Sequence, residues 1–264
     1  MNFLLIDASY YVFFRFFALV NWWKFSGKAD KCPDPTESPE FVEKFREVFV
    51  AKVAEIEKKL KIKGAVKIAA RDCPRPEIWR CALFPEYKGN RDKHGDFECS
   101  DFFSLAFTEK LFEKAGTHVI SHPALEADDC VALTTHHILA NYPEAQVYII
   151  ASDMDYLQIA GPQVHVYDLK FNDIQKSKKS TGDPLKDLFC KIVCGDKSDN
   201  IPGVFKKCGP KTAEALYEDP GELERRLSEG DARFNYERNR TLVDFDSIPA
   251  PLVDSFRTEV LRAS

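Results

Sequence analysis

The sequence holds no Cys-x-x-Cys pair that a His-x₃₋₅-His spacing could complete, so a zinc site is not expected. Its eight cysteines, at 32, 73, 81, 99, 130, 190, 194 and 208, are scattered. Reduced thiols in an intracellular protein, in a bacterium or an infected host cell, are the reading they support. Cys190 and Cys194, four apart, suit one buried helix face. No apolar run approaches the roughly 20 residues that a membrane span needs. The aromatic stretch 10–23 is interrupted by Arg15 and Asn21, and it has neither a basic leader nor an A-x-A cleavage pattern, so it is not read as a signal peptide. Internal repeats and low-complexity tracts are missing as well. So is an excess of positive charge: 37 basic and 42 acidic residues leave −5. That balance argues against a nucleic-acid partner until the acids are sorted by position.

What is there is a chain of 264 residues, 44% hydrophobic and 12% aromatic, enough for one large domain or one domain with a small appendage. Short aliphatic runs at 2–6 (NFLLI), 65–70 (AVKIAA), 146–151 (QVYIIA) and, more weakly, 164–169 read as buried parallel strands. Helical spacing of apolar residues marks 39–61, 102–115 and 125–140. Alternation of the two implies an α/β fold, a mostly parallel sheet with helices on both faces. The segment 24–38, rich in Pro, Ser, Lys and Asp, reads as a surface loop, and from about 185 onward the pattern is mainly helical, which suggests a small helical subdomain.

Ligands of open α/β sheets bind beyond the carboxyl ends of the strands. Asp7 ends the first run, Asp72 the second, and Asp153 and Asp155 the third. Glu126, Asp128 and Asp129 open the 125–140 helix, where unpaired amides favour negative charge; an ordinary acidic first turn is the plain alternative. Asp196 and Asp199 follow from a loop. Without these nine acids the remainder of the chain carries +4, so the net charge does not exclude DNA. Nine converging carboxylates repel unless cations neutralise them. Hard oxygen donors with no His or Cys pattern suit Mg²⁺, with Mn²⁺ able to substitute. Their number fits two ions, an arrangement suited to in-line phosphodiester hydrolysis.

A phosphate side follows directly. In 203–212 a glycine-bounded turn leads into a helix: Gly209 permits a backbone conformation that other residues resist, and Pro210 suits the first helical position. The helix N-terminus at Lys211 and Thr212, with Lys206 and Lys207 beside it, can form a sequence-independent phosphate clamp; a helical hairpin with solvated lysines is the alternative. In 86–91, a helical conformation would set Lys88 and Arg91 one turn apart, facing one phosphate, with Arg80 preceding them on the same crossover. A solvated basic surface is the other reading.

Together these blocks resemble the flap endonucleases, also called structure-specific 5′ nucleases or 5′–3′ exonucleases, in their bacteriophage and bacterial polymerase-associated branch. The matching blocks are Asp7, Asp72 with Trp79-Arg80, YKGNR at 87–91, EADD at 126–129, SDMDYLQ at 152–158, GDKSDNIPGV at 195–204, KCGPKTA at 207–213 and NRTLVDF at 239–245. The resemblance covers most of 2–249. It implies a PIN-like nuclease core over 1–184, with an arch at about 86–116, and a helix–three-turn–helix DNA clamp with a C-terminal tail over 185–264. It implies that Asp7, Asp72, Glu126 and Asp128 hold a first metal, and that Asp153, Asp155, Asp196 and Asp199 serve a second, partly through water. Asp129 falls between the two groups. Lys88 and Arg91 become the basic pair that steers and polarises the scissile phosphate. The clamp of relatives also holds K⁺ through backbone carbonyls; where they read Gly-Ile-Gly, this chain has Lys207-Cys208-Gly209. Arg15 is one position away from the family's arginine and is given no role.

The expected function is therefore a nuclease that removes 5′ flaps and RNA primers and degrades from 5′ ends, acting on branched or 5′-ended DNA or an RNA–DNA hybrid. It is expected to be free-standing and monomeric, with no membrane association. A PIN-type ribonuclease of single-stranded RNA and a non-catalytic branched-DNA binder are the competing readings. The clamp opposes the former and the intact acids oppose the latter.

Overall fold

The computed structural model describes residues 1–90 and 99–261. Arg91 and the 91–98 part of the expected arch lie outside the described residues. Strands β1 (Asn2–Asp7), β2 (Val66–Ala70), β3 (His118–Ile120), β4 (Gln146–Ile150) and β5 (Val164–Tyr167) form one sheet in the order β3-β2-β1-β4-β5, every ladder parallel. The chain winds outward from β1 through β2 to β3, then returns to the other side of β1 for β4 and β5. The order of connection reverses between β1 and β4, and the carboxyl ends of those two strands frame the crevice where such sheets bind ligands.

β1 shows why both faces are covered. Phe3 and Leu5 enter one core with α6 (Ala127–Asn141), while Leu4 and Ile6 enter a second with α1 (Ala8–Phe25) and α2 (Pro39–Leu60). Alternation of side chains along the strand sends successive residues to opposite faces, and all four are buried, as a parallel sheet requires. The second core is largely aromatic. Phe16, Phe41, Phe45, Phe49, Phe102 and Phe112 meet at ring-centroid separations of 4.8–6.0 Å, several edge to face, and the Tyr11 hydroxyl donates to the Phe49 carbonyl at 2.8 Å. The α1 helix is the 10–23 aromatic stretch. Its other side leaves Phe13, Phe17, Trp22 and Phe25 exposed.

Two crossover segments differ from expectation. The 102–115 stretch is two helices, α4 (Ser100–Thr108) and α5 (Leu111–Lys114), because Lys110 turns left-handed at φ 55° and ends the run. The 86–90 segment, which follows α3 (Trp79–Leu83), is a turn rather than a helix, with Lys88 also left-handed at φ 55°. From residue 184 the chain is helical: α7 (Pro184–Cys194), α8 (Pro210–Glu218), α9 (Pro220–Leu227), α10 (Ala232–Val243) and α11 (Ala250–Phe256). Buried Asn239 binds this region together, its amide donating to the carbonyls of Ile192 and Pro202 at 3.0 and 2.8 Å.

Phe49→Ala is expected to lower unfolding free energy by about 3–5 kcal/mol through the cavity it leaves, whereas Phe17→Ala, on the exposed side of α1, should cost less than about 1 kcal/mol. Equal losses in urea unfolding would overturn this placement of the aromatic core.

Candidate active site

The acids reach one place because local structure needs them there. Asp7 ends β1 and caps α1, its Oδ1 accepting from the Tyr10 amide at 2.9 Å. Asp153 follows β4 and caps the 3₁₀ turn Met154–Ile159, accepting from the Asp155 amide at 3.0 Å. Asp72, just beyond β2, accepts from the Ala127 amide at 2.8 Å, at the start of α6. Glu126 caps that same helix in a reciprocal capping box with Asp129. Each acid thus satisfies an amide that the start of a helix leaves unpaired. Asp196 and Asp199 come from a tight loop closed by mutual backbone bonds between Asp196 and Ile201, at 2.9 and 2.7 Å. Gly195 makes that loop possible. It stands at φ 71°, and a Cβ there would lie 2.4 Å from the Ile201 carbonyl oxygen.

Asp7, Asp72, Glu126, Asp128 and Asp153 line one cavity of about 180 Å³, together with Ser9, Tyr10, Lys88 and Ser152. Asp155, Asp196 and Asp199 converge beside it, offering oxygens within 4.8 Å of one another; Glu126, Asp128 and Asp129 do the same. Asp153 lines the first cavity and also acts on Asp155, so it stands between the two groups.

Three cations are already engaged with these acids. Arg80 is 2% exposed, and its guanidinium contacts Glu126 at 2.9 Å and Asp129 at 2.7 Å. The expectation that Arg80 touches DNA is corrected: its Nε donates to the Leu242 carbonyl at 2.6 Å, and no face of it is left for a phosphate. Asp129, wholly buried, accepts from both Arg80 and the Trp79 indole, at 3.0 Å for the latter. Its oxygens are committed to holding α3 against α6, which weighs against a ligand role. Lys88 pairs with Glu126 and lies 3.9 Å from Asp199. Lys191 on α7 pairs with both Asp155 and Asp196.

The remaining repulsion is visible in proton affinities. Burial and the neighbouring Asp72 push the Asp7 carboxyl up to about 7. Burial and Asp153 push Asp155 up to about 7 against the pull of Lys191. Burial, Glu126 and Asp129 raise Asp128 well above the ordinary range. Burial also acts on Asp196, but there Lys191 and the Ser198 hydrogen bonds prevail and hold it at about 2. The donor set fits divalent cations: the ligands are all hard oxygens, and several prefer a proton when no other positive charge is near.

Four residues that touch these acids carried no signal of their own in the sequence. The Tyr87 hydroxyl lies 2.9 Å from Glu126 and 3.2 Å from Asp199, and the Tyr156 hydroxyl donates to Asp7 at 3.2 Å. Ser9 donates to Asp72. Lys191 stands five residues before Asp196, outside the glycine-led block that drew attention. Tyr87 and Tyr156 lie inside the YKGNR and SDMDYLQ blocks, but only the fold buries their hydroxyls beside the acids.

On the phosphate side, Lys206, Lys207, Gly209 and Lys211 are exposed, and the three lysines have no carboxylate within ion-pair distance among the described residues. Gly209 corrects an expectation. Its φ of −104° is open to any residue, and the left-handed position is Lys207 at φ 58°. A Cβ on Gly209 would meet nothing within 4 Å, and its carbonyl accepts from the Thr212 and Ala213 amides. The Thr212 amide is taken by the Gly209 carbonyl at 3.0 Å and is not free for a phosphate.

A family model described as 5′–3′ exonuclease, N-terminal resolvase-like domain, matches residues 2–184. DNA polymerase I of Rhizobium leguminosarum is 30% identical over 191 residues, covering 70% of this chain and 18% of the polymerase. Flap endonuclease Xni of Serratia proteamaculans (strain 568) is 30% identical over 156 residues, covering 57% of this chain and 59% of that enzyme. The matches thus span less than two thirds of either relative. A structure of T5 5′-exonuclease with bound zinc ions superposes with a TM-score of 0.69 over 99% of both chains at 19% identity. The fold is accordingly the α/β, PIN-like one.

Arg80→Met should destabilise the chain by about 3–5 kcal/mol in urea unfolding, because it strands the buried Asp129 charge; a loss below about 1 kcal/mol would contradict the pairing. Asp7 and Asp155 bind protons more tightly folded than unfolded, where carboxyls of this type titrate near 3.8. Their contribution is therefore full below about pH 4 and is lost as pH rises through about 7. With a chelator present, Asp7→Asn, which keeps the helix cap, should raise stability at pH 8 by on the order of 2 kcal/mol and change it little at pH 4. Melting curves that coincide with wild type at pH 8 would rule this out.

Proposed function

The chain belongs to the 5′–3′ exonuclease family, and we propose that it is a divalent-metal-dependent nuclease cutting phosphodiesters of branched or 5′-ended DNA, as a 5′ flap endonuclease and 5′–3′ exonuclease. The observation that carries this reading is the cavity itself. Asp7, Asp72, Asp128 and Asp153 meet there with no ion-pair partner among the described residues, while Lys88 reaches the same space. A set of acids with so little internal compensation suits cationic cofactors, and a lysine beside it suits an anionic substrate.

In this reading Asp7, Asp72, Glu126 and Asp128 hold one Mg²⁺, with Asp153 at its edge. Asp155, Asp196 and Asp199 hold a second, and Mn²⁺ can replace either. When bound, such ions supply an activated water and charge neutralisation at the scissile phosphate. The chain's own groups do the positioning. Lys88 contacts Glu126 and can turn toward a phosphate oxygen, and Arg91 would join it. Tyr87, buried between Glu126 and Asp199, keeps two ligand groups apart at fixed spacing. Tyr156 holds the Asp7 oxygen that its helix cap does not use.

Lys206, Lys207 and Lys211 would form the duplex clamp, where backbone carbonyls would hold K⁺. Residues 1–184 form the catalytic core and 185–264 the clamp region and tail; Phe102, Ala106 and Phe112 are buried in the aromatic core, so the arch expected at about 86–116 does not extend over α4 and α5. Exposed lysines without acidic partners favour a duplex anchor over a ribonuclease of single-stranded RNA. The substrate range extends to RNA–DNA hybrids at primers. The protein acts inside the cell as a monomer.

The test is cleavage of a 5′-labelled flap duplex in Mg²⁺ and in EDTA, beside a single-stranded RNA. Flap cutting should require metal and vanish in Asp72→Asn. Lys88→Ala should slow the cutting step by about 10²–10³-fold, the cost of losing one charge-stabilising donor. Flap binding without cutting in Mg²⁺ and Mn²⁺ would leave a DNA binder, and cutting of RNA alone a ribonuclease.

A further inference from the structure

Lys191 is placed unlike the other basic residues of the site. Arg80 pairs with Glu126 and Asp129 at the start of α6, and Lys88 pairs with Glu126 and only approaches Asp199, at 3.9 Å. The Lys191 ammonium instead bridges Asp155 and Asp196, two of the three acids in the second converging group. Its position is well fixed. It lies in the last turn of α7, whose Phe189, Ile192 and Val193 are buried, and its carbonyl accepts from the Gly195 amide at 2.9 Å. The turn at Gly195 then folds Asp196 back over it. The side chain is 20% exposed, so water screens it little.

We propose that Lys191 is a built-in competitor of the second divalent ion, holding Asp155 and Asp196 together and yielding them only when that ion binds. This inference rests on the two-ion reading of the site. An ion that uses Asp155, Asp196 and Asp199 must approach a fixed positive charge and take over oxygens that already have a cationic partner. Both effects weaken it, since like charges repel strongly where water is scarce. The Asp155 Oδ1 that meets the lysine is buried, and Lys191 is its one charged partner among the described residues. In the first cavity Lys88 and Arg80 engage Glu126 alone, and Asp7, Asp72, Asp128 and Asp153 face no lysine or arginine at ion-pair distance among the described residues, whereas Lys191 occupies two of the three acids of the second group. The two ions are therefore unequal: the first binds the resting protein tightly, and the second binds weakly until an added negative charge, such as a substrate phosphate, offsets Lys191.

Direct Mn²⁺ binding to the full chain without DNA tests this, followed by electron paramagnetic resonance of free Mn²⁺ and by calorimetry. Wild type should show one tight and one weak class of ion. Lys191→Met should strengthen the weak class by tenfold or more and leave the tight class unchanged. Lys191→Gln, which keeps length and polarity but not charge, should do the same, and it serves should the methionine variant not fold. Lys191→Arg should keep the second ion weak. Two classes whose weaker member moves less than twofold in both neutral variants would overturn the role of Lys191 and leave the two-ion reading standing. A single class in wild type and in both neutral variants would overturn the two-ion reading, and this inference with it.

Discussion

Carboxylates gathered at the edge of one sheet repel each other, and much of the structure around the site answers that repulsion. The answer takes two forms. The first is the helix start. Asp7, Glu126 and Asp153 each cap the helical turn that comes next, and Asp72 accepts from the opening amide of α6. The partial positive charge of a helix N-terminus offsets part of each negative charge. The second form is the fixed cation. Arg80 and Lys88 come from the crossover after β2 and Lys191 from α7, and each contacts two acids.

Those cations also hold the halves of the molecule together. Arg80 binds Glu126 and Asp129 with its terminal nitrogens and the Leu242 carbonyl with its Nε. Lys88 joins the 84–90 turn to Glu126, and its backbone amide donates to the Asp199 carbonyl at 2.8 Å. Lys191 ties α7 to the turn after β4. The helices beyond residue 184 are thus bound to the sheet through the acidic site, by way of charges that cannot separate without leaving partners buried, as well as through Phe245, Ile248 and Phe256 in the core beside α6. A change in the acids should consequently be felt in how the C-terminal helices sit.

Legibility followed the same physics. β1, β2, β4 and β5 could be read because each is a short aliphatic run ending in polar residues, and α2 because its buried Phe41, Phe45, Phe49, Val53 and Ile56 keep helical spacing. β3 is three residues long and too short for any period to register. α1 was hidden by its own composition: with Phe13, Phe17, Trp22 and Phe25 exposed opposite a buried apolar face, it is apolar almost all round and shows no stripe. Strand-end position made the acids conspicuous, since an acid after a buried strand is a local pattern. Burial could not be read in that way. Arg80 and Lys88 look alike as basic residues on one crossover, yet one is enclosed by Asp129, Glu126 and Leu242 while the other reaches the cavity. Lys191 stayed invisible because its meaning lies in a loop that returns over it, which only the backbone at Gly195 decides.

A carboxylate has two oxygens, and here they are divided between fold and chemistry. Asp7 gives one to the Tyr10 amide and keeps the other near Tyr156; Asp72 gives one to Ala127 and the other to Ser9. The hydroxyl contacts are the adjustable half, because a hydroxyl can turn and accept where it had donated. A cation drawn to the cavity would therefore meet oxygens whose direction the backbone has set and whose remaining partners can reorient. The helix caps are already made when the chain folds, so the geometry that receives the ion costs little further ordering. That is preorganisation achieved with groups the fold requires in any case, and it explains why the same few residues carry both the start of the helices and the proposed chemistry.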